Sequence, residues 1–121
     1  MKFVWTTLQV KDVDTSVAFY EEVVGLKISH RIGAKGAHEI AFMTDGGNVL
    51  VELCEAQGLP AGTPVGVGVS IGFETEDAQA KWDALKAAGY GVSPMISPAP
   101  TIKFFFVKDP DGYSVQIEQQ L

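Results

Sequence analysis

The sequence predicts an α+β fold made of two βαβββ modules in tandem. Three observations predict it. Hydrophobic periods run strand, helix, three strands, and then repeat in the same order. The glycines that end the two helical stretches, Gly25 and Gly89, stand at corresponding places. So do the turns that close the last hairpin of each half, Asp45-Gly46-Gly47-Asn48 and Asp109-Pro110-Asp111-Gly112.

In the first half, Phe3 to Val10 alternates and is rich in β-branched and aromatic residues, which predicts a strand. Asp12-Val13-Asp14-Thr15 opens a helix, because a short polar side chain there satisfies free backbone N–H groups. Val17, Phe19, Tyr20, Val23 and Val24 form its apolar face, and Gly25 stops it. Strands are expected at 27–32, 38–43 and 48–54. The stretch 56–64, broken by proline and glycine, reads as the connection between halves. In the second half a strand is expected at 67–73, a helix from Glu76-Asp77 to Gly89, and strands at 91–96, 101–108 and 112–119. The Pro-rich run 93–100 is expected to be a hairpin loop. The resulting division is a first module at 1–57, a linker at 58–66 and a second module at 67–121, within one structural domain.

The halves align by offset. Adding 63 takes Trp5 to Gly68, Thr7 to Ser70, Val10 to Phe73, Asp14 to Asp77 and Phe19 to Trp82. Adding 64 takes Gly25 to Gly89, Phe42 to Phe106, Asp45 to Asp109, Glu52 to Gln116 and Leu53 to Ile117.

The bulk numbers exclude several function classes. The 121-residue chain is 46% hydrophobic and 20% charged, with a formal net charge of −6. That balance disfavours nucleic acid and anionic membrane surfaces, which require clustered cations. Arg31 is the only arginine, so bidentate clamps for phosphate or carboxylate are poorly supplied. No apolar run approaches the ~20 residues of a membrane span. The start has no signal-peptide layout, and Cys54 is the only cysteine, so a cytoplasmic setting is expected. Cys54 reads as a small buried apolar residue. His30 and His38 read as surface or hairpin residues. Phe104-Phe105-Phe106 must put a ring on each sheet face.

Two segments carry a resemblance. They are Asp12-Val13-Asp14-Thr15-Ser16-Val17-Ala18-Phe19-Tyr20, followed by Val24-Gly25-Leu26, and Asp109-Pro110-Asp111-Gly112-Tyr113 with Val115 and Ile117. Together they resemble the vicinal-oxygen-chelate superfamily, which includes glyoxalase I, extradiol dioxygenases, fosfomycin-modifying enzymes and bleomycin-binding proteins. The resemblance implies curled mixed sheets around a cavity, rimmed by the Pro-rich run. It also implies four metal ligands, two on the first strands of the modules and two on the last. Those positions are Trp5, Glu52, Gly68 and Gln116. An indole, a carboxylate, a bare glycine and an amide are a poor set for a catalytic transition metal. No metal and no other cofactor are therefore expected.

The expected ligand-binding residues are Trp5, Thr7, Glu52, Gly68, Ser70 and Gln116, with Glu52 the candidate catalytic group. The first reading is a metal-independent small-molecule binder, in which Trp5 stacks on a planar or cationic ligand and Glu52 supplies charge. The alternative is a lyase or isomerase of the glyoxalase I type. A third is a metal-free enzyme with Glu52 as base. For Glu52 and Gln116, a solvated sheet face fits the residue pattern as well as a cavity does; the resemblance favours the cavity. The partner set is a small-molecule ligand and a second copy of the chain, with neither nucleic acid nor membrane. Sheet edges and apolar helix faces on so small a chain require covering, and a closed twofold is the commonest solution. Sedimentation at micromolar concentration is expected to give twice the 13.0 kDa chain mass; a monomer would contradict the reading.

Overall fold

The structure is a computed structural model that describes residues 1–56, 60 and 62–121. It falls into two compact units, Met1–Val67 and Gly68–Leu121. The expected linker at 58–66 lies partly on Gly58, Leu59 and Ala61, outside the described residues.

The first unit contains β1 (Trp5–Val10), α1 (Val13–Phe19), β2 (Lys27–Ala34), β3 (Ala37–Thr44) and β4 (Leu50–Glu55). Its strands lie in the order β1-β4-β3-β2, with β1 parallel to β4 and the other pairs antiparallel. The second unit contains β5 (Ser70–Glu74), α2 (Ala78–Ala87), β6 (Ile96–Ala99), β7 (Ile102–Lys108) and β8 (Ser114–Gln120). Its strands lie in the order β5-β8-β7-β6. This is the expected βαβββ pair. Among the described residues, no helix is long and apolar enough to cross a membrane.

Each sheet spends one face on its helix. In the first unit α1 packs on β3 and β4, and Leu8, Val10, Ala41, Met43 and Leu53 are completely buried. In the second α2 packs on β7 and β8, and Phe105, Val107, Val115 and Ile117 form the corresponding layer. Burying one such side chain contributes roughly 1.5–3 kcal/mol. A one-residue slip of β1, β3, β4, β7 or β8 would turn that strand's buried side chains to the other face.

Asp12 and Asp77 cap α1 and α2 by accepting N–H bonds from Thr15 and Ala80. The Thr15 hydroxyl and N–H hold the Asp12 carboxyl below its ordinary pKa, with Lys35 adding to the effect. α1 is shorter than its apolar face suggested. It passes into one π turn, Tyr20–Val24, which ends at Gly25 in the left-handed region, φ 86°. Both terminal hairpins use an aspartate as scaffold. Asp45 accepts the Gly47 N–H at 2.7 Å, and Asp109 accepts those of Asp111 and Tyr113, each at 2.9 Å.

Three expectations are corrected. The strand expected at 91–96 is displaced to Ile96–Ala99, so part of the Pro-rich run is strand rather than loop; Val92 keeps only an isolated bridge to Val107. Proline is tolerated there because β6 is an edge strand and Pro98 lies in its irregular stretch between Ile96 and Ala99. Gly68 lies before β5, with φ 75°, and not on the strand. The repeat register also shifts. Thr7 pairs with Glu52 and Gly72 with Gln116, so Thr7 matches Gly72 and Trp5 matches Ser70. The caps agree, since Asp12 corresponds to Asp77 where Asp14 was expected to. The remaining one-residue difference from the last strands falls between cap and stop glycine, where Asp12–Gly25 is one residue longer than Asp77–Gly89 and carries the π turn.

β2 carries a bulge. Ile28 pairs with Met43 and His30 with Phe42, so Ser29 is an extra residue. Alternation then returns Arg31 to the helix face, opposite Ala41. There its Nη1 donates to Asp14 at 2.9 Å and to Glu39 at 2.8 Å, tying β2 to α1 and β3. Arg31→Met would leave the Glu39 side chain, only 12% exposed, without its cation. Partial exposure of Arg31 limits the effect, and a loss of about 1 kcal/mol is expected in urea unfolding. Lys35→Met, which breaks only the exposed Lys35–Asp12 pair at 3.5 Å, should leave the midpoint in place. Equal effects of the two substitutions would refute this account of the bulge.

Candidate functional site

With one face of the first sheet given to α1, alternation sends Trp5, Thr7, Leu50, Glu52, Cys54 and Phe42 to the other. Register sets their neighbours. Thr7 stands beside Glu52, Glu52 beside Phe42, and Phe42 beside His30, so one row crosses all four strands. Trp5 and Glu52 therefore share a face.

The contacts follow the row. The Thr7 hydroxyl donates to Glu52 Oε2 at 2.6 Å. Glu52 is 9% exposed, and among the described residues no lysine, arginine or histidine forms an ion pair with it. Trp5 meets Phe42 edge-on, with centroids 5.6 Å apart and planes at 71°. His30 lies flat on Phe42, at 4.3 Å and 15°. Phe42 is consequently buried, whereas Trp5 remains 46% exposed. The face can offer a ring for stacking, an edge of aromatic surface, and a carboxyl group whose only hydrogen-bond partner among the described residues is a hydroxyl.

His30 was expected to be an ordinary surface residue. It is exposed, but it joins this row. Strict alternation from Ile28 would have put Ser29 opposite Phe42, and nothing in the sequence marks the bulge that replaces it with His30. Cys54 is half-buried and shares the strand face of Glu52. Burial pushes its thiol pKa up, with the Glu52 and Glu55 charges adding to the rise. That opposes a nucleophilic thiolate.

In the second unit, Ser70, Gly72, Ser114, Gln116, Phe104 and Phe106 share the sheet face opposite the helix. Phe104 and Phe106 meet edge-on at 5.6 Å, and Phe105 is buried on the helix side. Ser70 and Gln116 thus lie on one face, with Gly68 just outside the strand.

These residues do not fit a catalytic transition metal. At the implied positions Trp5 has only an N–H donor, Gly68 has no side chain, and Gln116 offers a neutral amide. The register correction replaces Gly68 with Ser70 at the position matching Trp5, which adds no strong ligand. Among the described residues, no group of three or more His, Cys, Asp or Glu side chains could hold a metal ion.

Comparisons with known proteins agree with this architecture. The model of the Glyoxalase/Bleomycin resistance protein/Dioxygenase superfamily matches residues 2–117. A probable lactoylglutathione lyase of Vibrio parahaemolyticus is 34% identical, over 94% of this chain and 87% of its own length. A lactoylglutathione lyase of Haemophilus influenzae is 30% identical, over 96% of this chain and 90% of its own. Among solved structures, TnmS3, an antibiotic binding protein from Streptomyces sp. CB03234, is similar with a TM-score of 0.80 at 19% identity. The match covers 100% of this chain and 97% of that one. At that identity the likeness concerns the fold.

The Cys54 thiol reports on the charge beside it. Iodoacetamide is expected to alkylate it more slowly at pH 8 in the native protein than in the unfolded chain, because a raised pKa leaves less thiolate. Glu52→Gln should speed the native reaction by removing one of the charges that raise the pKa. An unchanged rate in that variant would show that Glu52 does not act on the thiol.

Proposed function

This chain belongs to the Glyoxalase/Bleomycin resistance protein/Dioxygenase superfamily, and on that premise we propose that it binds a small molecule without a metal, on the open face of its first sheet. The ligand is planar, aromatic and positively charged. The observation that carries the reading is the pairing of a half-exposed indole with a nearly buried carboxyl group on one sheet face. An exposed Trp of this kind holds planar cations by stacking and by its quadrupole. A sequestered carboxylate with only a hydroxyl for company gains from an incoming cation. Thr7 orients the carboxyl and is itself a ligand contact.

For the second unit, taken by itself, we propose Ser70 and Gln116 as ligand contacts on its own sheet face opposite the helix, and leave Gly68 as a small residue ahead of the strand. The proposal includes a homodimer and a cytoplasmic setting. The antibiotic binding by TnmS3 supports the reading at the level of the fold alone.

A second reading is favoured by the names of the 30–34% identical relatives. It is a glyoxalase I-type lyase or isomerase with Glu52 as the proton-moving base. The donor set above argues against its metal-dependent form.

A thermal-shift screen of planar cationic aromatic compounds, with and without EDTA, tests the two. Stabilisation that chelator does not change is expected, with affinity falling about tenfold or more in Trp5→Ala and in Glu52→Gln. Hits indifferent to both substitutions would remove the site. Nickel-dependent formation of lactoylglutathione from glutathione adducts, abolished by Glu52→Gln, would establish the lyase instead.

A further inference from the structure

We propose that His30 determines specificity on this face, and that the ligand carries, at the end opposite its positive charge, an oxygen substituent that hydrogen-bonds the imidazole. The inference rests on the ligand reading above and specifies the ligand's second end.

The bulge at Ser29 is the first observation. It exchanges a serine for an imidazole opposite Phe42. Bulges re-aim side chains in this way and cost local ladder pairing. The ion pairs of Arg31 hold the bulge in place, but they put no demand on the chemistry of residue 30.

The second observation is the state of the ring. One face of His30 is taken by Phe42, while the residue as a whole stays exposed. Its Nδ1 is engaged by the Ser29 hydroxyl at 3.0 Å. Nε2 is therefore the nitrogen left for a ligand. Neutral imidazole offers it as donor or acceptor according to the tautomer. A phenolic hydroxyl satisfies either.

Distance supplies the third. Glu52 and His30 occupy the same row with one strand, carrying Phe42, between them. Two strand spacings separate them by about 10 Å. Two or three fused rings with a cationic nitrogen at one end and an oxygen at the other have comparable length.

The matched probes are N-methyl-6-hydroxyquinolinium and N-methylquinolinium, which differ only in the hydroxyl. Binding of each to the full chain is measured by calorimetry. The hydroxylated probe is expected to bind the parent protein about threefold to tenfold more tightly, the range of one net hydrogen bond. In His30→Phe, which keeps a ring on Phe42 but removes the nitrogens, the ratio of the two affinities should fall to near one. Near-ultraviolet circular dichroism would check that the variant folds, and His30→Gln, which retains polar atoms, should keep part of the preference. Two results overturn the inference alone: equal affinities in the parent, or a preference that survives in His30→Phe, while binding still depends on Trp5 and Glu52. If neither probe binds, or if binding ignores Trp5→Ala and Glu52→Gln, the ligand reading itself fails and the inference fails with it.

Discussion

Burial of one sheet face against α1 is the constraint from which the open face of the first unit follows. Leu8, Val10, Ala41, Met43 and Leu53 have no solvent exposure, and they lie on three adjacent strands. Shifting any of these strands by one residue would expose its apolar side chains and bury its polar ones, a change of several kcal/mol per strand. That penalty fixes the direction of every residue between them. Trp5 and Thr7 face away from the helix because Leu8 and Val10 face it. Glu52 does so because Val51 and Leu53 do not. The position of the candidate site is thus a by-product of core packing, and its chemistry is free to vary without disturbing the core.

β2 is the strand on which this constraint is weakest, since all its residues are exposed. It is also the strand that breaks alternation. What holds its register is polar: the two carboxylates on Arg31, and the Glu55 carboxylate, which accepts the Gly36 N–H at 3.0 Å at the far hairpin. Directional bonds can pin a strand where apolar burial cannot, and they admit an extra residue where an apolar layer would not. His30 reaches the Phe42 ring by that route.

The carboxylates of the first unit show why Glu52 stands apart. Asp14 and Glu39 share Arg31, Asp12 caps a helix and contacts Lys35, and Glu55 receives backbone N–H groups. Each has a structural use that matches its charge. Glu52 is as buried as Glu39, yet its partner is the Thr7 hydroxyl. A nearly buried carboxyl group without a cation is costly, and the cationic ligand proposed above would supply the missing positive charge beside Trp5. The same donor set speaks against a metal, which would require several strong ligands where this chain offers one carboxyl group.

Much of this was legible in the sequence. Element order, the duplication, the stop at Gly25 and both aspartate hairpins all follow from local chemistry. Strand period, helix stops and turn residues act over a few neighbours, and a single chain displays them. Register was not legible. The first strands and helix caps of the halves match two residues later than the sequence offset placed them. A shift of two leaves every side chain on its original face, so the hydrophobic pattern is identical in both registers. Only hydrogen bonds between strands distant in the chain, β1 with β4 and β5 with β8, decide between them. The bulge at Ser29 and the displacement of β6 onto Ile96–Ala99 were hidden for the same reason. By itself the sequence determined which face each residue takes within a regular strand. Tertiary structure alone decided which residues stand side by side across strands, because that choice belongs to partners the local pattern does not encode.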